Sequence, residues 1–292
     1  GGTILGTSRT PYRNMRVIEA DNVDKVAAMK RNYAAMGLDC LVTLGGNGTH
    51  KTANLLAEEG LNIIGLPKTI DNDIFGTDVT FGFHSAVDIA TDVVDRIHTT
   101  ANSHGRVMVI ELMGNKAGWL TLYAGLGGGA DIILLPEIPY DVDKVMEAIE
   151  RRTTHKRNFA IVCIAEGAMT VQEAQLKKKA LEQQRAQQHF ISVGYQLAAE
   201  IERRSKIEAR VVVPGHYQRG GSPSPYDRVL ATQFGAYAAQ LIRDGSYGCT
   251  VAMNSGAVCS NRLSDIAGKT KFVPADCGMI ATARAMGVSF GD

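Results

Sequence analysis

Two carboxylates separated by one residue stand in the run Pro67-Lys68-Thr69-Ile70-Asp71-Asn72-Asp73-Ile74, directly after a short apolar stretch. In an extended loop, residues i and i+2 point the same way, so Asp71 and Asp73 would face one cleft. One could then take a hydroxyl proton while the other holds Mg²⁺. Thr69 falls on that side too, placed to orient a carboxylate or a phosphoryl oxygen. The same spacing fits an Asx-turn, in which Asp71, Asn72 and Asp73 bond their own backbone.

A second run, Thr43-Leu44-Gly45-Gly46-Asn47-Gly48-Thr49-His50, lies between another apolar stretch and the helical pattern Thr52, Leu55, Leu56, Glu59. Its glycines let the backbone approach an anion closely. Thr49 and the first N–H groups of the helix would supply donors at the positive end of the helix dipole. A tight strand-to-helix turn made only for packing would read the same way. The run is neither a Walker A sequence, since no Gly-Lys-Ser/Thr follows, nor G-x-G-x-x-G.

Both runs need a rigid frame, and the sequence supplies one. The short, largely β-branched segments Cys40–Leu44, Asn62–Leu66, Val107–Glu111, Asp131–Leu135, Phe159–Ile164 and Arg210–Val213 read as buried parallel strands. Between them lie helical stripes. Val26, Met29, Tyr33 and Met36 form one, led by Asp21 as N-cap, and Ala86, Ile89, Ala90, Val93, Val94 and Ile97 form another. Strand-helix alternation predicts an α/β fold with loops gathered at the carboxyl ends of the strands. The segment from Thr170 to Arg204, with Lys177-Lys178-Lys179, reads as a polar, solvated helix.

At 292 residues and 45% hydrophobic composition, the chain is long enough for one large or two ordinary domains. Lys plus Arg number 31 against 30 for Asp plus Glu, so no global excess of charge draws it to nucleic acid or to an anionic membrane. Any anion must be caught locally. Cys40, Cys163, Cys249, Cys259 and Cys277 form no C-x-x-C pair and read as free thiols in a reducing compartment. No run approaches the roughly 18 apolar residues of a membrane span. The start lacks Met, and Gly1-Gly2-Thr3-Ile4-Leu5-Gly6 looks like the interior of a domain, so preceding sequence is expected.

Pro67-Lys68-Thr69-Ile70-Asp71-Asn72-Asp73 resembles the signature of the phosphofructokinase family. Gly45-Gly46-Asn47-Gly48-Thr49 resembles that family's nucleotide-phosphate loop and Glu111-Leu112-Met113-Gly114 its sugar-phosphate segment. Pro214-Gly215-His216-Tyr217-Gln218-Arg219-Gly220-Gly221-Ser222-Pro223 is similar to its second sugar-phosphate loop. The four motifs occur in order across nearly the whole chain. The resemblance implies two Rossmann-like α/β/α domains with mostly parallel sheets and an active site in the cleft between them. Residues 1–82 plus 218–268 would form the donor domain, lacking its N-terminal strand-loop-helix unit of about 30 residues. Residues 83–217 plus 269–292 would form the fructose 6-phosphate domain.

The implied activity is phosphoryl transfer from ATP to the 1-hydroxyl of fructose 6-phosphate, assisted by Mg²⁺, in glycolysis. Asp71 would be the general base, with Thr69 beside the transferring group. Arg9, Gly46, Asn47, Gly48 and Thr49 would meet the donor, and Asn47 and Asp73 the metal. The sugar phosphate would be met by Thr69, Asp71, Asp73, Met113, Gly114, Asn115, Glu166, Arg210, His216, Tyr217, Gln218 and Arg219. Arg106 would reach the site from a neighbouring subunit, which implies a homodimer or homotetramer. The family also implies a cytoplasmic, allosterically controlled enzyme with no nucleic-acid or membrane partner. Taken singly, each arginine fits a surface ion pair, and His104 and Trp119 fit capping and packing.

The chain departs from the family pattern at named positions. Asn47 stands where the common loop has aspartate, which predicts looser Mg²⁺ binding, and Asn115 where many members carry arginine. Gly48 is the feature of ATP enzymes, because it leaves room for the α-phosphate and adenosine, whereas Lys68 is common in diphosphate enzymes. Gly48 weighs more, so ATP is the expected donor. A diphosphate-dependent fructose 6-phosphate 1-phosphotransferase is the alternative, and a truncated chain that binds sugar phosphate or nucleotide without turnover is another. Lipid and NAD kinases use a similar glycine loop but lack the acidic and His-Tyr-Gln-Arg-Gly-Gly runs.

Overall fold

The computed structural model describes residues 1–292 except 1, 5, 8, 9, 21, 155–157 and 189. Helices and strands alternate as α1 (Lys25–Ala35), β1 (Leu41–Gly45), α2 (Asn47–Glu58), β2 (Ile63–Pro67), α3 (Phe83–His104) and β3 (Val107–Leu112). They continue as α4 (Trp119–Gly127), β4 (Ile132–Leu134), α5 (Val142–Thr154) and β5 (Ala160–Ala165). Three helices follow, α6 (Val171–Ala174), α7 (Lys178–Gln188) and α8 (Val193–Arg204), then β6 (Ala209–Val212) and a 3₁₀ turn (Gly215–Arg219). The remainder holds α9 (Pro225–Arg243), β7 (Cys249–Asn254), β8 (Ala257–Arg262), α10 (Leu263–Ile266) and α11 (Gly278–Ala285). The chain forms two compact units, Gly1–His84 with Gly221–Lys271 and Ser85–Gly220 with Phe272–Asp292.

The first unit is built on a sheet of order β1-β2-β7-β8, parallel except for the last pair. All five residues of β2 are buried, as a parallel strand covered on both faces requires. Ile63 packs with Ala53 and Leu56 of α2 and with Leu263 and Ile266 of α10, while α9 packs on β2, β7 and β8. β1 and β2 run in parallel register from Leu41 opposite Ile63 to Gly45 opposite Pro67. Their carboxyl ends therefore coincide, and the two chemically interesting loops leave the sheet side by side. The Lys68 N–H donates to Gly45 O at 3.0 Å across that edge.

The second unit has four parallel strands in the order β4-β5-β3-β6. Alternate residues Val107 and Val109, Ile132 and Leu134, and Ala160, Val162 and Ile164 join one core with Val145 and Ile149 of α5 and Leu197 and Ile201 of α8. α4 packs on β4 and β5. Its Gly125 lies so close to the sheet that a Cβ there would come 2.8 Å from Ile133.

The six strands expected from sequence form within one or two residues of their expected limits. The β7–β8 hairpin was not among them. Its turn places Ser255 at φ 50° and Gly256 at φ 79°, the two positive values a two-residue hairpin turn needs, so the Ser-Gly pair was the available signal. The N-cap expected at Asp21 lies outside the described residues. α1 is capped by Asp24, whose carboxylate accepts from Ala27 N–H at 2.9 Å. The polar segment after Thr170 is three helices rather than one. α7 buries nothing, but α8 contributes Val193, Leu197, Ala198 and Ile201 to the core.

Candidate active site

The glycine-rich run turns straight from β1 into α2, with Gly46 as N-cap. His50 is the first residue of the helix whose N–H finds a carbonyl behind it, Gly46 O at 3.0 Å. The N–H groups of Asn47, Gly48 and Thr49 therefore lie in the first turn, where an anion is favoured by both donors and dipole. The Thr49 side chain sits over Gly45, where an added Cβ would fall 2.1 Å from its Oγ1. His50 anchors this turn. It is 1% exposed, and burial holds its imidazole below the usual value, hence neutral. Gly46 O can only accept, so His50 Nδ1–H donates to it at 3.0 Å and Nε2 accepts from the Thr250 hydroxyl at 2.9 Å. Sequence reasoning gave His50 no role. Its position four residues after Gly46, inside an otherwise small and polar turn, was the only hint.

The acidic loop is not extended. Asn72, 3% exposed, adopts φ 51°, and its Oδ1 accepts from Thr80 N–H at 3.1 Å while Nδ2 donates to Asp78 O at 3.4 Å. Asparagine is among the residues that tolerate this left-handed region. The alternation argued for Asp71 and Asp73 therefore fails at the residue between them. Asp73 is 4% exposed and its Oδ2 accepts from Asn47 Nδ2 at 2.7 Å. Burial pushes its carboxyl up, while the Asn47 donation works against that shift. Asp71 is half-buried, and its backbone N–H donates to Thr69 Oγ1 at 3.1 Å. Thr80 Oγ1 donates to Thr69 O at 2.8 Å, closing the loop. Lys271 fixes the outgoing limb: its Nζ donates to Thr77 O at 2.8 Å and Asp78 O at 2.9 Å, and its N–H donates to Asp73 O at 2.9 Å. Desolvation lowers this ammonium to about 8.

In the second unit, the carboxyl ends of β3, β5 and β6 carry Met113, Gly114, Asn115, Glu166 and the His216–Arg219 turn. Glu166 Oε1 accepts from Asn115 N–H at 2.7 Å and Gly114 N–H at 3.2 Å, so the carboxylate organises the turn after β3. Asn115 takes φ 55° and is exposed, and Met113 is half-buried. Gln218 is 1% exposed. Its Oε1 accepts from Met113 N–H at 3.3 Å and its Nε2 donates to Gly215 O at 3.1 Å, tying the two loops together. His216, Tyr217 and Arg219 of the same 3₁₀ turn are exposed. Arg210 does not keep their company. It pairs with Glu208 and, at 3.3 Å, with Glu202, while Arg106 Nε meets Glu208 Oε2 at 2.5 Å. These two arginines share Glu208 near the amino ends of β3 and β6. Arg9 lies outside the described residues.

The phosphofructokinase family model matches residues 1–242. The chain belongs to the phosphofructokinase family. The ATP-dependent 6-phosphofructokinase of Spirochaeta thermophila is 54% identical over 296 residues, covering 100% of this chain and 81% of that protein. A namesake from Bacteroides thetaiotaomicron is 47% identical over 292 residues, again covering 100% and 81%. The pyrophosphate–fructose 6-phosphate 1-phosphotransferase of Amycolatopsis methanolica is 44% identical over 275 residues, covering 94% of this chain and 78% of the relative. Among solved structures, phosphofructokinase from Saccharomyces cerevisiae aligns with a TM-score of 0.76 at 27% identity, over 90% of this chain. The chain spans 36% of that longer polypeptide.

In this phosphofructokinase the Asn47–Asp73 contact has a direct consequence. An aspartate at position 47 would put two carboxylates within hydrogen-bond distance in a largely buried place, where both ionise only with a cation between them. Asn47→Asp is expected to lower the melting temperature without Mg²⁺ and to regain it when Mg²⁺ is added. A unit charge against a divalent ion is worth several kcal/mol even at an effective dielectric near 20, so the Mg²⁺ concentration giving half-maximal turnover should fall by about tenfold or more. A Mg²⁺ titration unchanged by the substitution would contradict this reading of the contact.

Proposed function

We propose that the chain is an ATP-dependent 6-phosphofructokinase, transferring the terminal phosphoryl group of ATP to the 1-hydroxyl of fructose 6-phosphate to give fructose 1,6-bisphosphate and ADP. The observation that carries this reading is the in-register end of β1 and β2, which sets the donor-rich first turn of α2 beside the loop holding Thr69, Asp71 and Asp73. Phosphoryl transfer needs positioning and charge neutralisation more than covalent help. The N–H groups of Asn47, Gly48 and Thr49 hold donor phosphate oxygens. Asp71 accepts the proton of the 1-hydroxyl as the new O–P bond forms and the bond to the departing diphosphate oxygen breaks. Thr69 orients the transferring group.

Mg²⁺ suits the donor set beside this loop. Among the described residues no group of three or more His, Cys, Asp or Glu side chains forms a cage. One or two carboxylates plus phosphate oxygens and water is the usual Mg²⁺ arrangement. Asp73 and the Asn47 carbonyl oxygen are the groups that would hold it, and it would neutralise charge on the nucleotide phosphates.

On the sugar side, Glu166 offers Oε2 to a sugar hydroxyl while Oε1 holds the Gly114–Asn115 turn. Met113 packs on the ring, and His216 and Arg219 take the 6-phosphate with Tyr217 beside them. Gln218 acts by joining the two loops. Arg106 stands seven residues before Met113 along β3, roughly 23 Å at strand rise, far beyond the reach of one side chain. Arg106 and Arg210 therefore serve a neighbouring copy's 6-phosphate as a pair, which makes the active form a homodimer or homotetramer. The chain acts in cytoplasmic glycolysis. Incubation with ATP, Mg²⁺ and fructose 6-phosphate should give fructose 1,6-bisphosphate, with ADP in equal amount. Release of phosphate to water without sugar bisphosphate would count against the assignment.

A further inference from the structure

Within the second unit, Glu111 and Glu166 line a cavity of about 420 Å³ together with Arg185, Phe190, Ser192 and Gln196. That volume falls within the roughly 300–1,000 Å³ typical of small-molecule sites. Its outer wall comes from the end of α7 and the start of α8. Two observations make this wall unusual. α7 fully buries none of its residues, and Leu181 is its one half-buried apolar side chain, so little apolar surface fixes its place. The Ser192 hydroxyl oxygen is sealed from solvent and has no hydrogen-bond partner among the described residues, as expected of a group whose partner enters with water or ligand.

Arg185 ties α7 to the rest of the unit. Its guanidinium forks onto Glu173, Nε to Oε1 at 2.9 Å and an Nη to Oε2 at 3.0 Å, and the same Nη reaches Ala168 O at 2.9 Å. Glu173 is 2% exposed and is fixed in a capping box with Thr170. Ala168 lies two residues beyond Glu166, so one end of the tether is the turn that carries the acceptor-site carboxylate. A planar, five-donor guanidinium suits this three-acceptor bridge, whereas an ammonium cannot span it in the same geometry.

We propose that Arg185 is a positioning residue for the acceptor site: it docks α7 against the Glu166 turn and so keeps Phe190 and Ser192 in place as a wall of the cavity. The proposal rests on the assignment of Glu166 to the sugar. The competing role is neutralisation of the buried Glu173 alone, which would affect stability without singling out one substrate.

The test uses the full chain with Arg185→Gln and Arg185→Lys. The KM for fructose 6-phosphate should rise about tenfold in Arg185→Gln, with kcat and the KM for ATP within about twofold, the pattern of lost uniform binding. Arg185→Lys, which keeps the charge opposite Glu173, should show a smaller rise and also covers the case in which the glutamine variant does not fold. Hydrogen exchange should show reduced protection across α7 in both variants. Unchanged α7 protection, an unchanged KM for fructose 6-phosphate in a folded variant, or parallel loss of kcat and both KM values with thermal stability would each overturn the proposal. Failure of the functional assignment reads differently: the unaltered protein itself would not turn over fructose 6-phosphate, while exchange across α7 would still report the tether.

Discussion

Asp71→Asn should lower kcat by about 10²–10⁴, the usual worth of a positioned general base, while the KM values for ATP and fructose 6-phosphate stay within a few-fold. Several contacts that do not involve the Asp71 carboxylate shape the loop. Asn72 supplies the left-handed residue and bonds Thr80 and Asp78, Thr80 bonds Thr69 O, and Lys271 clamps Thr77 and Asp78. An isosteric amide in place of Asp71 keeps these contacts and the side-chain shape while removing the proton acceptor. Steady-state kinetics beside thermal unfolding checks this: a variant that retains full turnover denies Asp71 the role, and one that unfolds early shows it to be structural.

Gly48→Asp should lower kcat/KM for ATP by roughly 100-fold or more, since a carboxylate set against a polyphosphate costs several kcal/mol. Turnover with diphosphate should suffer less. Among the described residues nothing asks for glycine here. Gly48 is helical, its φ lies outside the left-handed range, and an added Cβ would meet no atom of the described residues within 4 Å. An acid in the first turn of a helix even favours the helix dipole, by about 0.3–1 kcal/mol, so the melting temperature should hold or rise slightly. Space kept open without structural need is what makes Gly48 informative about the donor. Undiminished use of ATP by the variant would remove Gly48 as its determinant.

The strands were legible because each of the six is a short β-branched or apolar run that parallel burial demands, and the loops at their ends followed from that frame. The β7–β8 hairpin was harder to read, since Cys249, Ala252, Ala257 and Cys259 dilute the β-branched signal and only Ser255-Gly256 marks the turn. In the acidic loop the residues were legible but not their geometry. Spacing turned Asp71 and Asp73 toward one cleft, yet a single left-handed residue, Asn72, separates them, and Asp73 finds its partner in Asn47, 26 positions earlier. Such a contact depends on two strands ending together, which no local pattern reveals. Arg210 is the same lesson in the second unit: adjacent in sequence to the His216–Arg219 turn, it belongs spatially with Arg106 through Glu208. Gln218 and His50 are buried polar groups that hold loops, roles visible only once their carbonyl and amide partners are placed.

The donor and the acceptor meet in one number, the ratio of kcat/KM for ATP to that for diphosphate, measured with fructose 6-phosphate and Mg²⁺ by following fructose 1,6-bisphosphate. An open Gly48 and a donor-rich helix start predict a ratio well above one. A ratio below one would identify a diphosphate enzyme, and no fructose 1,6-bisphosphate from either donor would contradict the kinase assignment itself.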